Sequence, residues 1–457
     1  MKQRFDRYSP ELVDLAVSSY LSDKWNRSDT LSFIEKYAGI PRHEILLREV
    51  NEKYASVKAE AISSLSLYVQ GVCEDLFYNG IEPDLDPVIV RQRPDGMTGK
   101  VRSIALLPVL HQLLEHVAVE MLRPLFMARF LPQQHASIPG HGQTALKNQL
   151  HKYLRSDRNI KAYTKDDIVH AYGTTKYLTV IERIEKDLPK AKELSILLRF
   201  LAKRAPGGVL IIGGYLDAWL FNYVMSFALK HVLSLGQTRR GVFRPYVIRC
   251  ECYMDDVVLL CPSLTAASKA SKLLGDYLGK EFGLALKVET APVKLETIDE
   301  ERARRSAKHR SARGSPAVDM AGFRVRRSYI TIRPRVFRRL RRQFMRAWVE
   351  YKKTGTIPFY RAKKLNSYNG YIRRRKGKRG QKLKPASDSL YARKKYHIDE
   401  LMRIAAAVQS FHDRDARRRK IEALNDYDQC ISKFAAGCSD ARSVAGWPKP
   451  RRALQKH

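Results

Sequence analysis

Two adjacent carboxylates interrupt an otherwise apolar run of chain. RPYVIRCE leads through Cys252-Tyr253-Met254 to Asp255 and Asp256, and VVLLC follows directly. Short runs rich in Val, Ile and Tyr on both sides read as strands, so the acidic pair falls in a tight turn between them. That turn pushes both carboxylates out at one sheet edge. Like charges that close repel and raise each other's pKa. A divalent cation removes the conflict, and Mg²⁺ is commonly held by one or two carboxylates, with waters and substrate phosphates completing the shell. A solvated Asp-Asp turn is the plainer explanation of the dipeptide alone. The flanking strands and a second acidic pair upstream weigh against it.

The second pair lies in Ala162-Tyr163-Thr164-Lys165-Asp166-Asp167-Ile168-Val169-His170-Ala171-Tyr172. Asp167 follows a strand-like segment and precedes an aromatic, Tyr172. Neighbours on a strand point to opposite faces, so Asp166 is expected to play a lesser role. Carboxylates on neighbouring strands can clamp two metal ions about 3.5–4 Å apart, the geometry of in-line displacement at phosphorus. Tyr172 adds a bulky aromatic five residues beyond Asp167, beside any such site.

The charge balance points the same way. Lys plus Arg number 84 against 47 Asp plus Glu, a net of 84 − 47 = +37 over 457 residues. An enzyme of small neutral metabolites has no use for that excess; nucleic acid is the first partner it suggests and an acidic membrane surface the second. At 44% hydrophobic the chain can bury a real core, which excludes global disorder. Six cysteines are sparse for this length, and Cys250-x-Cys252 lacks a second pair at zinc spacing. They read as strand residues in a reducing compartment, so a cytoplasmic location is expected. MKQRFDRYSPELVDL has no apolar signal core, and the apolar stretch from Gly207 to Leu229 carries Asp217 and Asn222, which are costly in hydrocarbon. No membrane association is expected.

Residues 1–85 read as helical, with Leu12, Val13, Ala16, Val17 and Tyr20 at helical spacing after a Ser9-Pro10 start signal. VIVRQR-PDGMTGK-VRSIALL reads as a hairpin. Helices are expected over 110–130, from His141-Gly142-Gln143 onward, and from Leu178 to Leu201. Val242 to Pro262 reads as strand, turn, strand, followed by a helix capped by Ser263. Ala321 to Arg333 reads as a short hairpin, and Pro334 starts a helix with Arg on one face. RRRKGKRGQKLK, 373–384, is low-complexity and basic.

Taken together, these motifs resemble the reverse transcriptases of bacteria and mobile elements. Tyr253-Met254-Asp255-Asp256 matches the family's Y-x-D-D turn. Asp167-Ile168 with Tyr172 matches the motif of its first metal-binding aspartate and sugar gate. Gly213-Gly214-Tyr215-Leu216-Asp217 resembles its glycine turn and following helix. Val318-Asp319-Met320-Ala321-Gly322-Phe323 resembles the hairpin that grips the primer end, and Lys100-Val101-Arg102 the basic strand that meets the triphosphate. His135 to Gly142 resembles a glycine-rich approach to a helix. The matches run in family order from about residue 90 to 335. Two departures stand out: Ile211-Ile212 replaces a Pro-Gln common in retroviral relatives, and Asp217 occupies a position usually small and polar. Lys287 and Lys294 both compete for the lysine expected near the pyrophosphate.

The resemblance implies an α/β (α+β) right-hand polymerase: a helical N-terminal extension over 1–85, fingers over 86–160, a palm over 161–333, and a basic helical thumb over 334–457. It implies RNA-directed DNA synthesis from dNTPs with two Mg²⁺ ions, Mn²⁺ being an alternative, held by Asp167, Asp255 and Asp256 beside Ile168. Tyr172, Lys100, Arg102, Gly213 and Ile168 would meet the nucleotide. Gly322, Phe323, Arg338, Arg339 and Arg342 would meet the primer and template. Stand-alone bacterial relatives (retron, diversity-generating and abortive-infection types) often pair with a dedicated noncoding RNA, and several act in antiphage defence. An RNA-dependent RNA polymerase and a non-catalytic RNA-binding scaffold are the alternatives. Both are weakened, the first by the bulk of Tyr172 and by Met254 where Gly is commoner, the second by the complete set of carboxylates. Tyr368, Tyr371, Tyr391 and Tyr396 interleave with basic residues and offer stacking surfaces, although packing into a helical core is the commoner fate.

Overall fold

The computed structural model describes residues 5–48, 52–94, 101–287, 291–306, 316–372 and 395–435. Helix α1 (Pro10–Leu21) starts where Ser9-Pro10 directs. The Ser9 hydroxyl accepts the Leu12 N–H at 3.3 Å, and Pro10 takes the first turn, where no amide is needed. Helices α2 (Ser28–Ala38), α3 (Arg42–Leu47) and α4 (Val57–Glu74) follow. On α4 the buried residues Val57, Ala61, Leu65, Val69 and Cys73 repeat every four positions. This N-terminal group has no core to itself. Val13 and Val17 belong to the same apolar cluster as Leu113 and Val117 of α5 (Val109–Arg129).

Strands β1 (Ile89–Pro94) and β2 (Val101–Leu106) pair antiparallel, Ile89 opposite Leu106, as the expected hairpin. It stands in solvent except at its base, where Ala105 is buried and donates its N–H to the Ile212 carbonyl at 2.8 Å. Helix α6 (Gln143–Ser156) begins directly after Gly142.

A four-stranded antiparallel sheet lies at the centre, in the order β6-β7-β3-β8. Its members are β3 (Ala162–Asp167), β6 (Arg249–Tyr253), β7 (Asp256–Cys261) and β8 (Val293–Lys294), while β4 (Gly236–Arg239) and β5 (Val242–Pro245) form a hairpin of their own. The side chains of β7 alternate between two cores, as a period of two requires. Val257, Leu259 and Cys261 pack in the main cluster with α10 (Tyr215–Ser234) and α11 (Leu264–Phe282). Val258 and Leu260 pack with Leu146, Leu150 and Leu154 of α6. The sheet is therefore covered on both faces, and what remains accessible is its edge. Ser263 caps α11 by accepting the Ala266 N–H at 3.1 Å.

Three expectations need correction. The helix from Leu178 to Leu201 is two helices, α8 (Tyr177–Asp187) and α9 (Lys192–Arg204), after the short α7 (Ala171–Thr174). Pro189 lies in the gap; it lacks the N–H a continuing helix needs. Val242 does not begin a strand of the central sheet: β5 folds back on β4, and β6 starts afresh at Arg249. Beyond α12 (Ile298–Ser306), the hairpin at 321–333 gains a third strand, since β10 (Phe323–Val325) pairs with both β9 (Val318–Met320) and β11 (Ile330–Ile332).

Pro334 opens α13 (Pro334–Thr354), which packs with α14 (Phe359–Ser367), α15 (Asn369–Ile372) and α16 (Ile398–Ala435). Leu340 and Phe344 meet Leu365, Leu401 and Ala405 in a core separate from the main one. The basic run 373–384 lies outside the described residues. Among the described residues no helix is long and apolar enough to cross a membrane.

Candidate active site

The turn between β6 and β7 is as tight as a hairpin allows. Tyr253 pairs with Asp256, leaving Met254 and Asp255 between them. Met254 adopts φ +56°, a left-handed conformation that an unbranched side chain tolerates at some cost. Asp167 ends β3 directly opposite Asp256, and the Ile168 N–H donates to the Asp255 carbonyl at 3.3 Å. Two distant acidic pairs thus meet at one sheet edge. Asp166 takes the other face: it is buried and accepts from Ser271 at 2.6 Å and Thr164 at 3.0 Å.

Burial pushes the Asp255 carboxyl above its usual range, and the charges of Asp167 and Asp256 push it the same way. Two lysines answer that repulsion. Lys287 forms an ion pair with Asp167 and donates its own N–H to the Asp167 carbonyl at 2.7 Å. Lys165, two residues before Asp167 and so on its face, lies 3.0 Å from Asp256. Lys294 sits opposite Ala162, at the far end of β3. Of the two lysines open from sequence, only Lys287 reaches the carboxylates. Asp167 Oδ1 is buried without a hydrogen-bond partner. An all-oxygen donor set with an unsatisfied buried carboxylate oxygen fits Mg²⁺ or Mn²⁺. Among the described residues no three His, Cys, Asp or Glu side chains are gathered closely enough to form a finished cage. The lysines hold part of that space.

Tyr172 stands beside the turn. Its ring stacks on Phe221 of α10 at 5.2 Å, and its hydroxyl is 3.5 Å from Met254 Sδ. Burial, with Asp217 and Asp255 nearby, raises its phenol pKa, so it stays protonated.

Gly213 and Gly214 are glycines for reasons found inside the chain. Gly213 has φ +122°, and a Cβ there would lie 2.5 Å from the Ala105 carbonyl oxygen; at Gly214 it would lie 1.7 Å from Asp217 Oδ2. This glycine turn therefore docks the base of the β1–β2 hairpin. Asp217 and Glu115 are both buried and hold the turn from below, accepting from the Ile211 and Tyr215 N–H groups at 2.9 and 2.8 Å. Burial raises Asp217 to about 7 and Glu115 well above its usual value.

The remaining candidates are dispersed. Lys100 lies outside the described residues, whereas Arg102 is exposed on β2 opposite Arg93. Gly322, at φ +83°, turns the chain against Tyr371. Phe323 is only 3% exposed, its ring 5.2 Å from Tyr371 and capped by Lys147, so its aromatic face is spent on packing. Arg338 and Arg342 are exposed on α13 and Arg339 is half-buried. Tyr368, Tyr371 and Tyr396 belong to the C-terminal core, and Tyr391 lies outside the described residues.

A buried pair under the turn carries no pattern in the sequence. The His135 N–H donates to the Cys252 carbonyl at 3.0 Å, and His135 Nε2 lies 2.5 Å from Glu251 Oε2. Burial lifts Glu251 to about 9 and lowers His135 to about 4, which makes this a neutral acid donating to a neutral imidazole. Cys250, Cys252 and Cys261 are free and buried, as strand residues. Lys165, by contrast, is legible from strand alternation.

Comparison of the chain with protein-family models finds no match, and comparison with curated proteins finds none either.

Proposed function

We propose that the chain is an RNA-directed DNA polymerase that extends a 3′-hydroxyl with dNTPs, with the central sheet as palm, the β1–β2 hairpin in the fingers and α13–α16 as thumb. The observation that carries this reading is the register: Asp167 opposite Asp256, with Asp255 in the turn beside them. Two Mg²⁺ ions bound there would activate the 3′-hydroxyl and stabilise the departing pyrophosphate. Asp167, Asp255 and Asp256 would hold them, and the unpartnered Asp167 Oδ1 is a ligand atom in waiting. Tyr172, fixed by Phe221, blocks a 2′-hydroxyl. Lys287 and Lys165 keep the site's charge balanced and are free to turn to phosphate once the carboxylates are engaged. Arg102 approaches from the fingers, and Arg338, Arg339 and Arg342 contact the duplex backbone. A dedicated noncoding RNA as template, and a role in antiphage defence, follow from the resemblance alone.

The scaffold alternative has one observation in its favour, the two lysines already paired with two of the three carboxylates. Primer extension on an RNA template with dNTPs and Mg²⁺ separates the two. The parent should make product and the Asp255→Asn/Asp256→Asn protein none. Equal product from both points to a contaminant or the scaffold, and product from neither favours the scaffold.

A further inference from the structure

Among the described residues, the β4–β5 hairpin pairs with no third strand. Gln237 to Arg244 are all exposed, and no described element packs on them. An isolated two-stranded hairpin is marginal in water, so one kept this exposed needs a reason. Its construction is nonetheless specific. Arg240 (φ +53°) and Gly241 (φ +74°) make the two-residue turn. Hairpin turns of this kind favour Asn or Asp in the first position, and here an Arg bears the strain. At the root, a Cβ on Gly236 would lie 2.6 Å from the Phe243 ring, so that ring is laid back over the hairpin.

The register sorts the side chains. Gln237 opposes Arg244 and Arg239 opposes Val242, so Arg239 and Arg244 share one face, with Arg240 at the tip. None of the three has a carboxylate partner among the described residues. Phe243 and Thr238 occupy the other face. Phe243 leans on Gly236 but stays 54% exposed, so the ribbon offers three cations against one partly engaged ring. That combination suits a sugar-phosphate backbone better than unpaired bases.

The hairpin also stands away from the carboxylates. It leads into β6 at Arg249, whereas the acidic turn leaves β6 at Tyr253, about 13 Å further along the strand. The ribbon therefore lies at the opposite end of β6 from the acidic turn.

We propose that Arg239, Arg240 and Arg244 form a second nucleic-acid contact, a ribbon that grips the phosphate backbone of RNA outside the catalytic cleft. It deepens the polymerase reading only in taking RNA as the strand held. The contact itself needs neither metal nor dNTP.

The test is equilibrium binding of a fluorescent RNA hairpin to the full-length chain across a salt series, without metal or dNTP. Arg239→Ala/Arg240→Ala/Arg244→Ala should lose at least about tenfold in affinity and reduce the slope of log K against log salt by about 2–3, roughly one unit per lost phosphate contact. Because the ribbon buries so little, the melting temperature should hold. The Arg→Glu triple should bind more weakly still. Because the binding is read without metal or dNTP, a failed polymerase reading leaves this contact standing. Unchanged affinity and slope in both triple variants would overturn the proposal.

Discussion

Asp167 and Asp256 face each other across the β3–β7 ladder, and each carries a lysine: Lys287 on the first, Lys165 on the second. The carboxylates are thus held together before any cation arrives, by a register that two buried sheet faces fix. A one-residue slip would turn Val258 and Leu260 out of their core.

Asp255 is held in burial beside two other carboxylates, so its charge works against folding. Asp255→Asn should abolish primer extension while leaving the melting temperature unchanged or higher. A large drop in melting temperature would mean the carboxylate is structural.

Tyr172→Ala removes the ring between Phe221 and Met254. Ribonucleotide incorporation relative to dNTP should rise by on the order of tenfold or more, the scale of one well-placed side chain in a pocket. No gain in competition assays with paired rNTP and dNTP would remove Tyr172 from the gate.

Gly213→Ala should cost about 1–3 kcal/mol in denaturant unfolding, from left-handed strain plus collision with the Ala105 carbonyl. Gly355, at φ +69° and with nothing within 4 Å of where a Cβ would stand, is the control. Gly355→Ala should cost only the backbone part, about 1 kcal/mol. Equal losses would mean the Ala105 contact is easily relieved.

The His135–Glu251 pair sets a pH dependence. Glu251 holds its proton up to about 9 when folded, against an ordinary value of 4.5, so folding stability falls as pH rises between those values. His135 is lowered from 6.5 to about 4, so stability also falls as pH drops through that window. Glu251→Gln keeps the shape and removes the alkaline loss. The melting temperature of the variant relative to the parent should climb from pH 6 to 9. A flat difference would show that Glu251 is already ionised.

Local chemistry was the legible part. Ser9-Pro10, Ser263 and Pro334 each mark a helix start, and alternation on β3 separates Asp167 from Asp166. Pairings made by the fold were not. Nothing near Val242 announces that its partner is Arg239 rather than the central sheet, because exposed strands carry no apolar alternation. His135 and Glu251 are 116 residues apart and resemble any other polar pair until burial joins them. Lys287 was one of two candidates, and only the bond to Asp167 chose it.

The most direct test counts metal. Mn²⁺ binding, followed by electron paramagnetic resonance on the chain with primer, RNA template and dNTP, should show two ions per chain, spin-coupled at about 3.5–4 Å. Asp167→Asn should lose that coupled pair. The same coupled signal in the parent and in Asp167→Asn, or no bound Mn²⁺ in the parent, would contradict the account.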